Sequence, residues 1–408
     1  MKKDAAMLPA VSAEMELLCA CASPTGVRAL AAGSFRPRRV DGARFRTLAT
    51  NHHVIPMVYR AVKAAAQNNI DLLPVEFLEC LQRDYLAIAA HNLRATAILH
   101  RLQSLMESKG VRLVPIKGPV LAVLAYGSTS LRQFEDLDWI VAGEEVLRAV
   151  ALLEQEGYVA REIPPGANRS RYAASRQDWS MHKPGKTPHV DLKPALISHA
   201  LADRRATEYM VGACRSIALG DGRACFAPGP EAMLLAVCMD GANEMWAKLS
   251  SVADAAALLS NVAGADWAGL LREAGRLGQK RSLLTGVLVA QQVLGCMLPE
   301  AFHKDAEEDP AAGRLAKAAA DRMLAERSLR TGAARRAGYA LRTRERFRDR
   351  VRFLSRSLFV AGAADLNQIS LPDAWYPLYS CFRPFRLAWD AARGRARRIV
   401  AAEASSRA

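Results

Sequence analysis

Apolar residues recur along the chain in two patterns, one typical of helices and one typical of short buried strands. Between Glu76 and Lys109 they return at steps of three and four residues, which predicts one amphipathic helix or two helices in series. Gly110 ends this segment. The pattern then alternates, as in an α/β core. The predicted order is a strand at 112–116, a helix at 119–126, a strand at 137–141 and a helix at 144–156.

A turn signal follows these elements. Pro184-Gly185-Lys186-Thr187 lies between two short extended runs and predicts a β-hairpin. Beyond His199 the pattern becomes almost wholly helical. The helices predicted there are 231–239, 243–259, 267–277 and 281–297.

A chain of 408 residues is long enough for two or three domains or subdomains. The acidic segment HKDAEEDPAAGR, which contains Pro and Gly, is the best candidate for a boundary. We predict a helical subdomain at 1–110, an α/β core at 111–200, a helical bundle at 201–305 and an arginine-rich, mostly helical region at 306–408.

The net charge of +15 is concentrated near the C-terminus, where residues 327–398 contain 17 arginines and five acidic residues. A solvated face in an arginine-biased chain explains this without a function. The alternatives are binding to nucleic acid or to an anionic membrane surface, and docking of an acidic protein. A stripe with helical spacing predicts a helix docked on the body of the protein. It consists of Phe347, Val351, Leu354 and Leu358.

Membrane insertion has little support in the sequence. The best apolar run, 283–298, is shorter than the ~20 residues that span a bilayer, and Gln291 and Gln292 interrupt it. Near the N-terminus, Glu14 and Glu16 break the apolar stretch that a signal peptide needs. We therefore expect a cytoplasmic protein.

The second predicted strand starts beside two aspartates, Asp136 and Asp138. Because side chains alternate along a strand, both lie on one face while Leu137 and Trp139 enter the core. Two neighbouring carboxylates repel each other unless a cation lies between them, and Mg²⁺ prefers such oxygen ligands. The cysteines form no C-x-x-C pair and the histidines no H-E-x-x-H motif, so zinc has little support.

A third carboxylate lies in the second run of the hairpin, HVDLKP. Val190 and Leu192 face inward there, so Asp191 and Lys193 point the opposite way. Three carboxylates on adjacent strands predict a site for two metal ions ~4 Å apart, which clamp the attacking and leaving oxygens of a phosphoryl transfer.

Positive charge accompanies the carboxylates. Lys117 and Gly118, at a strand-to-helix junction, provide a cation and free backbone N–H groups where phosphates bind well. Arg132, just before the aspartates, can hold phosphate oxygens with two parallel hydrogen bonds.

The segment PIKGPVLAVLAYGSTSLRQFEDLDWIV resembles the signature of the uncharacterised nucleotidyltransferase family within the DNA polymerase beta-type superfamily. Further similar segments are LEQEGY, HVDLKPAL, GANEMWAKLSSVADAAALL and LPDAWYPLYSCFRPFRL. The resemblance implies an α+β fold, with a core of a small mixed sheet and helices embedded in helical subdomains. It also implies that Asp136 and Asp138 are the metal pair, Asp191 the third acid, and Lys117-Gly118 the turn that meets the triphosphate.

The sequence departs from the family pattern at three places. Lys193 stands where the family usually has a histidine, and a lysine cannot transfer protons as an imidazole does at neutral pH. The long spacing from Gly118 to Asp136 leaves Gly127 as a rival for the turn glycine. Glu135 adds an acid beside the pair.

We expect a nucleotidyltransferase that uses two Mg²⁺ ions to move an NMP from an NTP to a hydroxyl or amine, releasing pyrophosphate. Lys117, Gly118, Arg132 and Lys193 would bind the nucleotide. The sequence selects neither the NTP nor the acceptor, for which we expect a small molecule, a peptide or a protein. The alternative is a catalytically weak or inactive nucleotide-binding module of the same fold, which binds an anionic partner through its basic C-terminal region.

Overall fold

The computed structural model describes residues 11–35, 39–161, 169–174, 177–185, 187–196, 204–262, 264–326, 333–361, 365, 371, 375 and 377–406. Within these ranges, five helices precede the sheet. The segment predicted as one helix or two is a single long helix, α5. The helices are α1 (Ala13–Ala22), α2 (Pro24–Ala31), α3 (Gly42–Asn51), α4 (Ile55–Gln67) and α5 (Val75–Ser108).

The central sheet has five strands in the order β1-β2-β5-β4-β3. Strands β2 and β5 are parallel, whereas the other pairs are antiparallel. The predicted strand–helix alternation, the hairpin and the mixed α+β architecture are confirmed. The elements are β1 (Leu113–Ile116), α6 (Gly118–Tyr126), β2 (Asp136–Val141), α7 (Val146–Gln155), β3 (Val159–Ala160), α8 (Arg169–Ala174), β4 (Trp179–His182) and β5 (His189–Lys193).

The expectation of an almost wholly helical chain beyond His199 is wrong at one place. After α9 (Arg204–Gly212), the strands β6 (Cys214–Ala218) and β7 (Ala224–Pro228) form an antiparallel hairpin. Both glycines of its Gly-Asp-Gly turn have positive φ, which glycine adopts without steric cost. The sequence did not indicate these strands, because they are short and partly exposed and their apolar and polar residues do not alternate clearly.

Helices make up the rest of the described chain. Asp309 separates α14 from α15 and caps α15, because its side chain accepts hydrogen bonds from two backbone N–H groups of that helix. The acidic segment is therefore helical on both sides of Asp309, and α15 packs on α13. The domain division stays a prediction. The helices are α10 (Pro230–Asn243), α11 (Leu249–Asn261), α12 (Trp267–Leu277), α13 (Lys280–Leu294), α14 (Ala301–Glu308), α15 (Pro310–Leu324), α16 (Ala333–Arg342), α17 (Phe347–Phe359) and α18 (Leu378–Ser406).

The helical part packs directly on the sheet unit. Helix α6 contacts β1 and β2 and also contacts α10 and α11. Trp246, in the connection between α10 and α11, is fully buried, as expected for a core residue. This arrangement brings side chains of α10 and α11 to the edge of the sheet where β1 ends and β2 begins.

The apolar stripe of α17 faces outward, so the expectation that it docks the helix on the body is wrong. Phe347 is 79% exposed and Leu358 is 40% exposed, whereas Phe353 is buried. Side-chain contacts of Arg346 with backbone carbonyls of α12 hold the start of the helix in place. Within the described residues, no helix is both long and apolar enough to cross a bilayer.

Candidate active site

The three predicted carboxylates come together on one face of the sheet. The parallel register of β2 and β5 places Asp138 beside Asp191, and Asp136 lies two residues earlier on the same face. One carboxylate oxygen from each lies within 4.8 Å of the other two. Leu137 and Trp139, the alternate residues of β2, are buried as expected. The cluster has the size and the oxygen ligands that a divalent cation requires.

Asp191 is oriented by its neighbour on β4. Ser180 lies opposite Asp191 in the antiparallel register, and its hydroxyl donates a 2.6 Å hydrogen bond to Oδ1 of Asp191. This contact fixes the carboxylate while it remains only partly buried. No sequence motif identified Ser180, because its role depends on the pairing of the two strands.

Two lysines neutralise Asp138, the most deeply buried of the three acids. Nζ of Lys193 lies 2.9 Å from Oδ1 of Asp138, and Nζ of Lys117 lies 3.6 Å from Oδ2. Lys117 also forms a 2.8 Å ion pair with Asp240 on α10. Both predicted nucleotide-binding lysines therefore point into the carboxylate cluster. Asp240 was not identified from the sequence, since only tertiary packing brings α10 to this edge.

The surroundings shift the pKa values of Asp136 and Asp138 in opposite directions. Burial, together with the charges of Asp138 and Asp191, raises the pKa of Asp136 to about 6. Burial also opposes ionisation of Asp138, but Lys193 and Lys117 outweigh it and lower the pKa of that carboxyl. Burial alone would lower the pKa of Lys117 and Lys193. The acidic groups beside them have the larger effect, so the pKa of each lysine is raised. The metal-free site thus carries excess negative charge centred on Asp136.

We predict that Asp136→Asn stabilises the metal-free protein at pH 8, and by only about half as much at pH 5. The pKa of Asp136 is raised in the folded state, so the protonated carboxyl favours folding. This contribution is complete below about pH 4 and is lost as the pH rises through about 6. The expected gain at pH 8 is about 3 kcal/mol, because one pKa unit corresponds to about 1.4 kcal/mol. Urea unfolding with a chelator at both pH values measures it.

Glu144→Gln, which changes an exposed carboxylate outside the cluster, is the control for this experiment. A gain of equal size at pH 5 and pH 8 would show that charge on Asp136 is not the cause.

The junction between β1 and α6 has a strained backbone. Lys117 has φ +59° and ψ −140°, a combination that residues other than glycine rarely adopt. Gly118 follows with φ +47°, and a Cβ atom there would lie 3.8 Å from the carbonyl oxygen of Asp136. The positive φ of Gly127 is explained by its place at the C-terminus of α6. The turn beside the carboxylates is therefore the one at Gly118.

The strain at Lys117 predicts an unusual order of stabilities. Lys117→Gly and Lys117→Ala both remove the ion pairs, but only glycine relieves the backbone. We expect the Gly variant to be more stable than the Ala variant by about 1–2 kcal/mol, measured by urea unfolding. At Lys109, where φ is −100°, the same pair of substitutions is the control and should not favour glycine in this way. Equal stabilities at position 117 would contradict the strain.

Arg132 is anchored to the helical part of the protein. Its Nε lies 3.1 and 3.0 Å from the two carboxylate oxygens of Asp254 on α11, and Tyr126 donates a hydrogen bond to the same carboxylate. Burial disfavours the charge on Arg132, but Asp254 outweighs this effect and raises its pKa. The amide of Asn92 on α5 donates to the carbonyls of Thr129 and Arg132, which fixes the loop before β2. The phosphate contact of Arg132 stays a prediction.

A family model covers the part of the chain that contains this site. The model of a family described as "Uncharacterised nucleotidyltransferase" matches residues 39–295, a range that contains the whole carboxylate and lysine cluster. No curated protein matches the chain. Among solved structures, the chain is similar to an antigenic nucleotidyltransferase-like protein from Paracoccidioides brasiliensis. The identity is 12% and the TM-score 0.31, over 52% of this chain and 96% of that chain.

Proposed function

Since the chain belongs to the uncharacterised nucleotidyltransferase family, we propose that it is a Mg²⁺-dependent enzyme that transfers an NMP from an NTP. The acceptor is a hydroxyl or an amine, and pyrophosphate is released. The observation that carries the proposal is the cluster of three carboxylates on one face of the sheet, beside two lysines and a strand-to-helix turn.

The residues of the cluster fit a pair of Mg²⁺ ions. Asp136, Asp138 and Asp191 would be the ligands. Burial and, after it, the charges of Asp138 and Asp191 raise the pKa of Asp136, and divalent cations would relieve this repulsion. Bound Mg²⁺ supplies electrostatic stabilisation of the attacking and leaving oxygens. Asp191, oriented by Ser180, is placed to accept the proton of the acceptor group.

Lys117 and Lys193 are placed to neutralise the triphosphate. Without nucleotide, their ammonium groups pair with Asp138, so they are held in the cleft before the substrate arrives. When metal ions occupy the carboxylates, the lysines can turn to phosphate oxygens. The backbone N–H groups at Gly118, at the start of α6, add further donors. Cations fixed in advance lower the barrier because little reorganisation is needed during the reaction.

One contact favours a second candidate, a nucleotide-binding module with weak or no turnover. Lys193 stands where the family usually has a histidine, and its ammonium group lies 2.9 Å from an oxygen that a metal ion would need. If this pair persists with nucleotide bound, Asp138 coordinates metal poorly and transfer is slow.

A melting experiment tests nucleotide binding without an identified acceptor. We expect a non-hydrolysable NTP with Mg²⁺ to raise the Tm, because a ligand that binds only the folded state adds about 2.7 kcal/mol at 100 Kd. The Tm should rise far less without Mg²⁺ or in Asp136→Asn. The Glu144→Gln protein should behave as the wild type. An undiminished shift in Asp136→Asn would place the nucleotide elsewhere.

A further inference from the structure

The C-terminal helices expose many apolar side chains. Within the described residues, nine of the fifteen large apolar side chains that are exposed lie between Phe347 and Trp389. Four of them form the outward stripe of α17 at helical spacing, and Phe353, on the opposite side of that helix, is buried. Helix α17 is therefore amphipathic with its apolar side toward solvent. Such a continuous apolar face marks an interaction surface.

Helix α18 extends this surface. It packs against α17, and its Phe382, Phe385 and Trp389 share one helical face with exposures of 46%, 76% and 59%. These aromatic rings line an open cavity of about 590 Å³ together with Tyr379 and Asp365. The surface thus combines the mostly aliphatic stripe of α17 with the aromatic side chains of α18.

Arginines flank both apolar faces. On α17, Arg348 lies about 60° of helical rotation from Val351 of the stripe, Arg352 lies about 100° from it on the same side, and both are exposed. On α18, the guanidinium of Arg393 lies 4.8 Å from the ring centre of Trp389. Exposed phenylalanine, leucine and tryptophan flanked by arginine are the side chains of helices that lie in a membrane interface.

We propose that α17 and α18 dock the protein on an anionic phospholipid surface. The arginines complement the negative headgroups, and the apolar faces enter the boundary between headgroups and acyl chains. This docking needs no membrane-spanning helix. It would hold the carboxylate site near acceptors at the membrane surface, although the inference does not depend on the proposed nucleotidyl transfer.

Charge and composition disfavour two other partners. Two copies of the chain would bring two strongly positive regions together, which repel each other. Single-stranded nucleic acid could stack on the aromatic rings of α18, but it would leave the mostly aliphatic stripe of α17 in contact with water.

Sedimentation with vesicles tests the proposal. The full chain should bind vesicles of phosphatidylcholine with phosphatidylglycerol, bind weakly to phosphatidylcholine alone, and dissociate as salt is raised. Two double variants should each lose roughly tenfold or more in affinity. They are Leu354→Glu with Leu358→Glu, and Arg348→Gln with Arg352→Gln.

Matched variants on other helices are the controls. Leu86→Glu with Leu93→Glu changes exposed leucines of α5, and Arg272→Gln with Arg276→Gln changes exposed arginines of α12. Both should bind anionic vesicles as the wild type does. All four variants should keep the wild-type Tm without added ligand, which shows that they are folded.

Three results would overturn the proposal. The first is vesicle binding that does not depend on the two leucines of α17. The second is a stable dimer that Leu354→Glu with Leu358→Glu dissociates, without vesicle binding by the wild type. The third is retention of single-stranded DNA but not of vesicles, lost when Arg348 and Arg352 are changed.

Discussion

Replacing Asp138 by Asn should reduce nucleotidyl transfer about 10³-fold or more, while the protein remains folded. The side chain lies between Lys117 and Lys193 and next to the two other carboxylates, so its charge acts on every group of the site. Asn has nearly the same shape but no charge, and it would weaken both metal positions. The measurement is transfer of label from an α-labelled NTP to acceptors in a cell extract, with Mg²⁺ present.

Asp321→Asn is the matched control for this variant. Asp321 also pairs with a lysine, at 3.1 Å from Lys317, but on the outer surface of α15. Its substitution should leave transfer unchanged. Near-native transfer by the Asp138→Asn protein would show that this carboxylate does not hold a catalytic metal ion.

Replacing Lys193 by Met should lower kcat/KM for the NTP about 10²-fold, if the lysine stabilises negative charge on the phosphates in the transition state. Met retains most of the apolar length of the side chain and removes its charge. The variant also removes one partner of the buried Asp138, so some loss of stability accompanies it. Lys317→Met, at an exposed position, controls for loss of positive charge alone.

The opposite result at Lys193 is equally informative. Faster transfer by the Met variant would mean that the ammonium group competes with metal for Asp138, as expected for the weakly active alternative. Lys193→His then shows whether the residue usual in the family raises turnover further.

The sequence was sufficient to predict the arrangement of the three carboxylates. Strand alternation placed Asp136 and Asp138 on one face, and inward-facing Val190 and Leu192 placed Asp191 on the corresponding face of β5. These are local properties of single strands. The sheet then brings the faces together, because the two strands are parallel neighbours in register.

The partners of the site could not be predicted in the same way. Asp240 reaches Lys117, and Asp254 reaches Arg132, from helices more than a hundred residues further along the chain. No local pattern relates such residues. The direction of α17 was also mispredicted, since helical spacing identifies an apolar stripe but does not say whether the protein itself covers it.

The most direct test of the central claim compares α-labelled and γ-labelled NTPs with the wild-type protein, Mg²⁺ and a cell extract. All four nucleotides are tried, and products are separated from free nucleotide. The account predicts that the α label is transferred to an acceptor, that the γ label appears only in pyrophosphate, and that Asp138→Asn abolishes the transfer. Transfer of the γ label to the acceptor, or α-label transfer that persists in Asp138→Asn, would contradict it.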